Sequence, residues 1–488
     1  MEENLSASMA DPEGGGRGRS ALVLLADGAR ADVFENLLAA GALPEIQRHV
    51  VERGSLRRAT STFTSTTGPA HLPLLTGCFA GTANMTGYRW FDRGAYRPGL
   101  PPGPWCLRSY TGPEALLMNR DIDPSVRTLF ELTREAVNVF GVINRGVSPR
   151  NNLWRRRKIA LWLHSHFRND YDRADRATAA ALLEAVARDP EFAFVAFPGV
   201  DWNSHYISPF GPESEAAYRL VDRAVGAAAE ALISAGRYES TLLVICSDHG
   251  HRPVKHHFDL PVLLEEERGV RVAYHTPRVR IRHPEAVACV SGNGMAHIYV
   301  VPRERPYCFV DRDAVDAALP GVREWLIAQP AVDIVVTRHE SGLSVESRRG
   351  RALLSETQGR LRYQPLDGDP FGLPSLPEAM SFQEALDATA DTEYPDCLLQ
   401  VLQLFRSERC GDVVVSAAPD HDLRDRHEHP EHASGHGALY ADHMNVPLAA
   451  SAPLTEGPMR TADLFPTVLE WLQRPVPSPI DGVSRLGG

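Results

Sequence analysis

No run of about 18 apolar residues occurs anywhere in the 488 positions of this chain, which argues against a transmembrane helix. The opening stretch, MEENLSASMADPEGGGRGRS, lacks the apolar segment of a secretory signal. It is polar and Gly-rich, and residues 1–19 are expected to form a disordered tail. There is no C-x-x-C pair. The seven cysteines (78, 106, 246, 289, 308, 397 and 410) are odd in number, and Cys246 sits inside an apolar run. That usage excludes a disulfide framework and points to reduced thiols and a cytoplasmic location, with no membrane partner. Basic excess is also missing. Lys and Arg total 51 against 62 Asp and Glu, a net charge of −11, which argues against a nucleic-acid polymer as partner. The one concentrated basic run, Arg155 to Lys158, reads as a solvated helix face.

What remains is an ordinary globular composition, 43% hydrophobic and 23% charged, in a chain long enough for one large core or two domains. Short apolar runs alternate with helical patterns. ALVLLADG, NVFGVINRG, FAFVAFPGVD and LLVICSDHGH read as buried strands, while RADRATAAALLEAVAR and YRLVDRAVGAAAEALISAG read as helices. The alternation predicts an α/β fold, a mostly parallel central sheet with helices on both faces. After His251 the pattern changes to short alternating strands and helices such as DAVDAALPGVREWLIAQ, as expected of an inserted α+β lobe. At GDVVVSAA the parallel-strand pattern returns, and TADLFPTVLEWL gives a last helix. The division expected is a tail over 1–19, a core over 20–259 and 405–488, and the lobe over 260–404.

Six candidate metal ligands fall in four segments, each at or near the end of an apolar run: Asp27, then Asp201 with His205, then Asp248 with His249, then His436. In open α/β sheets ligands bind outside the carboxyl ends of the strands, so these segments would meet at one sheet edge. Each is weak alone, because a strand-ending Asp is more often a turn or cap residue. Together, three carboxylates and three imidazoles are a donor set for two zinc-like ions. A hydroxyl beside such ions becomes a usable nucleophile. The loop TSTTGPAHLPLLTG offers Thr64, Ser65, Thr66 and Thr67 at the expected start of a helix, and the loop itself does not choose among them.

In this order A-D-G, T-x-T-T-G-P-A-H-L-P-L-L-T-G, D-W-N-S-H, S-D-H-G and G-H-G resemble the motifs of the alkaline phosphatase superfamily. The branch they resemble most is that of the type I phosphodiesterases, or nucleotide pyrophosphatases. The resemblance covers about residues 20–255 and 405–475. It implies a nucleophile at Thr67, one metal on Asp27, Asp248, His249 and Thr67, and a second on Asp201, His205 and His436. Both ions are expected to be Zn2+, with Mn2+ the alternative. The implied activity is two-metal hydrolysis of a phosphodiester or nucleotide-type pyrophosphate, a small-molecule substrate, through a phosphothreonine. Phosphomonoester hydrolysis and C–P hydrolysis of a phosphonate are the alternatives; a non-catalytic relative is disfavoured by the complete ligand set. A sulfatase is disfavoured because the loop lacks C/S-x-P-x-R. The chain departs from that branch where an Asn would contact a phosphate oxygen, since Tyr88 stands there. Asn84, Arg89 and Arg145 are therefore the candidate substrate contacts, Arg being suited to bidentate phosphate binding.

Overall fold

The computed structural model describes residues 18–111, 113–153, 172–275, 281, 283–301, 309–424 and 432–487. Most of the expected disordered tail and the Arg155–Lys158 run lie outside them.

Two eight-stranded sheets organise these residues. The first runs, edge to edge, Met459–Arg460, Ser55–Thr60, Asn445–Ala450, Thr241–Cys246, Ser20–Ala26, Phe192–Phe197, Val137–Val139 and Asn152–Leu153. Ser20–Ala26 lies at its centre, parallel to both neighbours. Every residue of SALVLLA is buried, as are all of FAFVAF and TLLVIC, so these strands are covered on both faces. The long helices Asp172–Ala187 and Pro212–Ser234 pack on each other and help to bury this sheet. Asn445–Ala450 is antiparallel to both of its neighbours, which makes the sheet mixed at one side.

The second sheet is almost wholly antiparallel. Its order is Val272–Tyr274, Ala286–Ser291, Met295–Val300, Val413–Ala417, Val332–His339, Gly342–Ser347, Gly350–Thr357 and Arg360–Gly368. Val413–Ala417, the GDVVVSAA run, is thus a central strand of this sheet and does not return to the parallel one. An all-apolar strand buried on both faces looks alike in either setting, so its sequence does not show the direction of its partners. The helical pattern at 313–329 is two helices, Arg312–Ala318 and Val322–Ala328, separated at Leu319, Pro320 and Gly321. Pro320 has no N–H to continue the first helix, and Gly321 takes a left-handed conformation.

Six cysteines among the described residues (78, 106, 246, 289, 397 and 410) are buried free thiols. No helix among the described residues is long and apolar enough to cross a membrane.

Candidate metal centre

Asp27 directly follows the strand Ser20–Ala26, and Asp248 lies two residues beyond Thr241–Cys246. Asp201 and His205 lie on the helix Gly199–Tyr206, which starts two residues beyond Phe192–Phe197. Their i, i+4 spacing puts both on one helix face. His436 comes from the segment Ser434–Gly437, which bridges in parallel to Asn293 of the second sheet. All six residues expected from the sequence meet here. The donor atoms of Asp201, His249, His251 and His436 lie within 4.8 Å of one another, as do those of Asp27, His71 and Asp248. His205 lies outside that group but beside it, its Nε2 3.4 Å from Asp201 Oδ1.

The tautomers follow from backbone partners. Carbonyl oxygens only accept, so His205 donates Nδ1–H to Ser434 O at 2.9 Å, His436 to Ser65 O at 3.1 Å and His249 to Gly250 O at 3.1 Å. Each ring therefore turns its Nε2 inward, and in the neutral rings of His205 and His436 that nitrogen carries no proton. His436 Nε2 is 3.8 Å from Asp201 Oδ1; His249 Nε2 is 3.5 Å from both Asp27 Oδ1 and Asp248 Oδ2. Imidazoles tethered through Nδ1–H with a bare Nε2 are arranged as metal ligands are.

The electrostatics suit a cation. Burial pushes the Asp27 carboxyl well above its usual range, and Asp248 and Asp201 add to that. Burial raises Asp201 to about 7, with Asp248 adding and His249 opposing. Burial drives His205 down to about 4 and His436 well below its usual value, so both are neutral at pH 7. Asp248 Oδ2 and His71 Nε2 are buried 3.3 Å apart without a well-aligned hydrogen bond, and His71 Nδ1 is buried with no partner. Three packed carboxylates, neutral imidazoles and orphaned donor atoms fit divalent ions. The donor chemistry, mixed carboxylate oxygen and imidazole nitrogen, fits them too.

The four hydroxyls left open by the sequence are separated by their surroundings. Thr64 donates to Thr86 O at 2.9 Å and Ser65 to Ala438 O at 3.0 Å, and both are fully buried. Thr66 is 3% exposed. Thr67 alone of the four is partly exposed, with Oγ1 3.3 Å from Asp27 Oδ1 and 3.2 Å from His249 Nε2. It is not a helix cap: the helix His71–Thr76 begins after Ala70, with no side-chain cap. The loop is held from behind by the helix Cys397–Leu404, where Gln400 Oε1 accepts from Phe63 N and Gln403 Nε2 donates to Phe63 O.

The three residues read as substrate contacts are engaged elsewhere. Asn84 Oδ1 accepts from Ser407 Oγ at 2.6 Å. Arg89 donates to Ser109 Oγ and Val290 O. Arg145 faces Glu131 at 3.2 Å and donates to the carbonyls of Ile122, Asp123 and Val126. Tyr88 is closer to the centre: a Cβ on Gly68, next to Thr67, would lie 3.8 Å from its ring. Burial pushes its phenol up to about 12; Arg89 opposes this, and Asp27 and Asp201 add to it.

His71 and His251 were not singled out from the sequence. His71 follows the nucleophile loop by four residues, and its Nε2 is 3.3 Å from Asp248 Oδ2. His251 follows His249 by two, a spacing that by itself puts no two side chains on one face of a helix. Gly28 is needed for this packing. It has a φ of +73°, and a Cβ there would come within 2.8 Å of His251 and 2.9 Å of Asp201.

Comparison with known proteins places the fold in a family. Residues 21–312 match the family described as type I phosphodiesterase / nucleotide pyrophosphatase. No curated protein sequence matches the chain. Among solved structures, phosphonoacetate hydrolase from Sinorhizobium meliloti 1021, in complex with phosphonoformate, is similar over 93% of this chain and 96% of its own, with 18% identity and a TM-score of 0.57. Murine ectonucleotide pyrophosphatase / phosphodiesterase 5 is similar over 95% of this chain and 97% of its own, with 16% identity and a TM-score of 0.54. These likenesses show a shared fold. Matched over more than half its length, the chain belongs to the type I phosphodiesterase / nucleotide pyrophosphatase family of the alkaline phosphatase superfamily, the metal-dependent hydrolases of phosphoric ester bonds.

Proposed function

We propose that this protein cleaves a small phosphodiester or a nucleotide-type pyrophosphate through a phosphothreonine at Thr67. The observation that carries this reading is the position of the Thr67 hydroxyl, partly open to solvent and within 3.3 Å of Asp27 and 3.2 Å of His249. Asp27, Asp248 and His249 with Thr67 would hold one divalent ion, and Asp201, His205 and His436 the other. The mixed carboxylate and imidazole donors suit Zn2+, with Mn2+ as the alternative. When bound, the two ions lower the pKa of oxygen nucleophiles and neutralise charge on the attacking and leaving oxygens.

The chain's own residues do the positioning. Asp27 accepts the Thr67 hydroxyl proton and so aims the Oγ lone pairs outward. The Thr67 Oγ–P bond forms as the bond from phosphorus to the leaving oxygen breaks, and the leaving group takes up a proton from solvent. A water oxygen then bonds to phosphorus as the P–Oγ bond breaks, the water releasing a proton to solvent and Thr67 Oγ recovering its own from Asp27. Ser65 O, Ser434 O and Gly250 O hold the imidazoles in place throughout, a fixed polar framework that needs little reorganisation during reaction. Asn84, Arg89 and Arg145 are committed to other partners, so neither of these two arginines serves as a dedicated phosphoryl contact. That supports a diester monoanion over a monoester dianion. A phosphonate C–P bond is the second reading, favoured by the near full-length likeness to phosphonoacetate hydrolase. The free, buried cysteines support a reducing, cytoplasmic setting.

The test is a parallel assay of the Zn2+- and Mn2+-loaded protein on bis-p-nitrophenyl phosphate, p-nitrophenyl phosphate and phosphonoacetate. The diester is expected to lead in kcat/KM. A monoester preference of about a hundredfold, about 2.7 kcal/mol in transition-state binding, would reassign the protein as a phosphatase. Turnover of phosphonoacetate alone would reassign it to C–P hydrolysis.

A further inference from the structure

His251 is fully buried, and its Nε2 lies 2.7 Å from Asp201 Oδ1, nearer than any other imidazole nitrogen of the centre. Its tautomer is set from the far side. The Ser434 hydroxyl donates to Ser204 O at 2.7 Å, and a carbonyl cannot donate in return. Ser434 Oγ must therefore accept from His251 Nδ1–H, 3.0 Å away. That leaves Nε2 without a proton, its lone pair directed at a carboxylate oxygen. Two lone pairs at that separation repel unless a proton or a metal cation lies between or beside them, and a bound divalent ion would displace the proton. The same Ser434 fixes His205 through its carbonyl, so one residue orients two rings toward the same carboxylate. The geometry is that of a ligand tethered by an outer hydrogen bond.

We infer that His251 is a fourth protein ligand, with Asp201, His205 and His436, of one ion in the metal centre. This deepens the two-metal reading above and rests on it. The consequence is an asymmetric pair. One ion would have four protein donors, one Asp and three His, a set that binds tightly and favours Zn2+, whose coordination can expand to admit a substrate oxygen. The other, with Asp27, Asp248, His249 and Thr67, is richer in oxygen, binds less tightly and accepts Mn2+ more readily.

The test uses the full-length protein, Zn2+ and Co2+ as probes, and the variants His251→Ala and His251→Gln. Zn2+ titration against a competing chromophoric chelator should show two classes of site in the unmodified protein. His251→Ala should weaken the tight class by at least about a hundredfold and leave the other unchanged. His251→Gln keeps an N–H that can reach Asp201, so it should fail to rescue if His251 is a ligand. In the Co2+-loaded unmodified protein, proton NMR should show four exchangeable, strongly shifted imidazole N–H signals, from His205, His249, His251 and His436, a readout independent of any variant's folding. Three such signals, or full Zn2+ affinity in His251→Gln, would overturn the ligand role while leaving the two-metal reading intact. A protein that takes up no Zn2+ at all would overturn both.

Discussion

The two sheets have eight strands each and both are well buried, yet they divide the labour almost completely. In the first, the central strands Ser20–Ala26, Phe192–Phe197 and Thr241–Cys246 run parallel, so the loops leaving them all emerge at one edge. Asp27, Asp201 and Asp248 are delivered to that edge by the direction of the chain alone. In the second, antiparallel neighbours end at opposite edges, so few of its loops can converge on one point. Its contribution is the turn Ser291–Met295. Gly292 O accepts from His436 N at 3.3 Å, and Gly292 packs against Thr66. Parallel pairing concentrates chemistry at one edge, whereas antiparallel pairing here builds a wall that supports it.

This contrast predicts that substitutions at the parallel edge reduce kcat and spare stability, and that substitutions in the antiparallel sheet do the reverse. The largest effect is expected at Thr67. Thr67→Ala should lower kcat by about a thousandfold or more with an unchanged melting temperature, whereas Thr66→Ala, whose hydroxyl is buried, should cost less than about tenfold. Steady-state kinetics and the trapping of a phosphoprotein check this; equal losses in the two variants would mean that Thr67 is not the nucleophile.

Gly292→Ala is the variant most able to break the contrast, because it lies in the second sheet's turn yet touches the site. It has a φ of +60°, and a Cβ would come within 2.8 Å of His436 Nδ1 and 3.0 Å of Thr66. Activity should fall by about ten- to a hundredfold as His436 is displaced, in the range seen when the support of a metal ligand is removed. Wild-type activity would show that the second sheet is not needed at the site.

Leu354→Ala tests the opposite side. Leu354 is fully buried in the antiparallel sheet, and its truncation should cost about 2–5 kcal/mol. The melting temperature should drop with kcat per folded molecule unchanged; a matching loss of kcat would mean that the sheets are coupled more tightly than through one turn.

The smallest effect concerns Asp175, on the helix that packs against the ligand-bearing helix Gly199–Tyr206. It accepts from Gly199 N at 3.0 Å, and its other oxygen is buried without a partner. Burial raises its pKa from 3.8 to about 8, with the Gly199 N–H opposing. A folded-state value above the unfolded one means that the fold holds a proton the unfolded chain releases, so Asp175 costs stability increasingly as pH rises from 3.8 to about 8. Asp175→Asn keeps the acceptor for Gly199 and removes the titration. Its gain in melting temperature over the unmodified protein should grow across that window and level off above it. A constant difference at every pH would mean that Asp175 does not titrate there.

Local pattern was enough for much of this. Alternating apolar runs and helical stretches specified a parallel α/β sheet, because burial on two faces demands continuous apolar strands. That Asp27, Asp201, His205, Asp248 and His249 come together was legible because strand ends and i, i+4 spacing are properties of short segments, and the motif order tied His436 to them. What a side chain faces is decided by residues far away in the chain. Thr67 is distinguished from Thr64, Ser65 and Thr66 only because Thr86 and Ala438 take up its neighbours' hydroxyls and burial closes off Thr66. Asn84, Arg89 and Arg145 read as anion contacts until Ser407, Val290 and Glu131 are seen to engage them. Val413–Ala417 could join either sheet until its partners were known. His251 enters the centre because Ser434 turns its ring and Gly28 leaves it room. Periodicity and spacing are set by the backbone's own geometry, so sequence determines them; the direction of a lone pair depends on which distant donors and acceptors folding brings beside it, and that belongs to the tertiary structure.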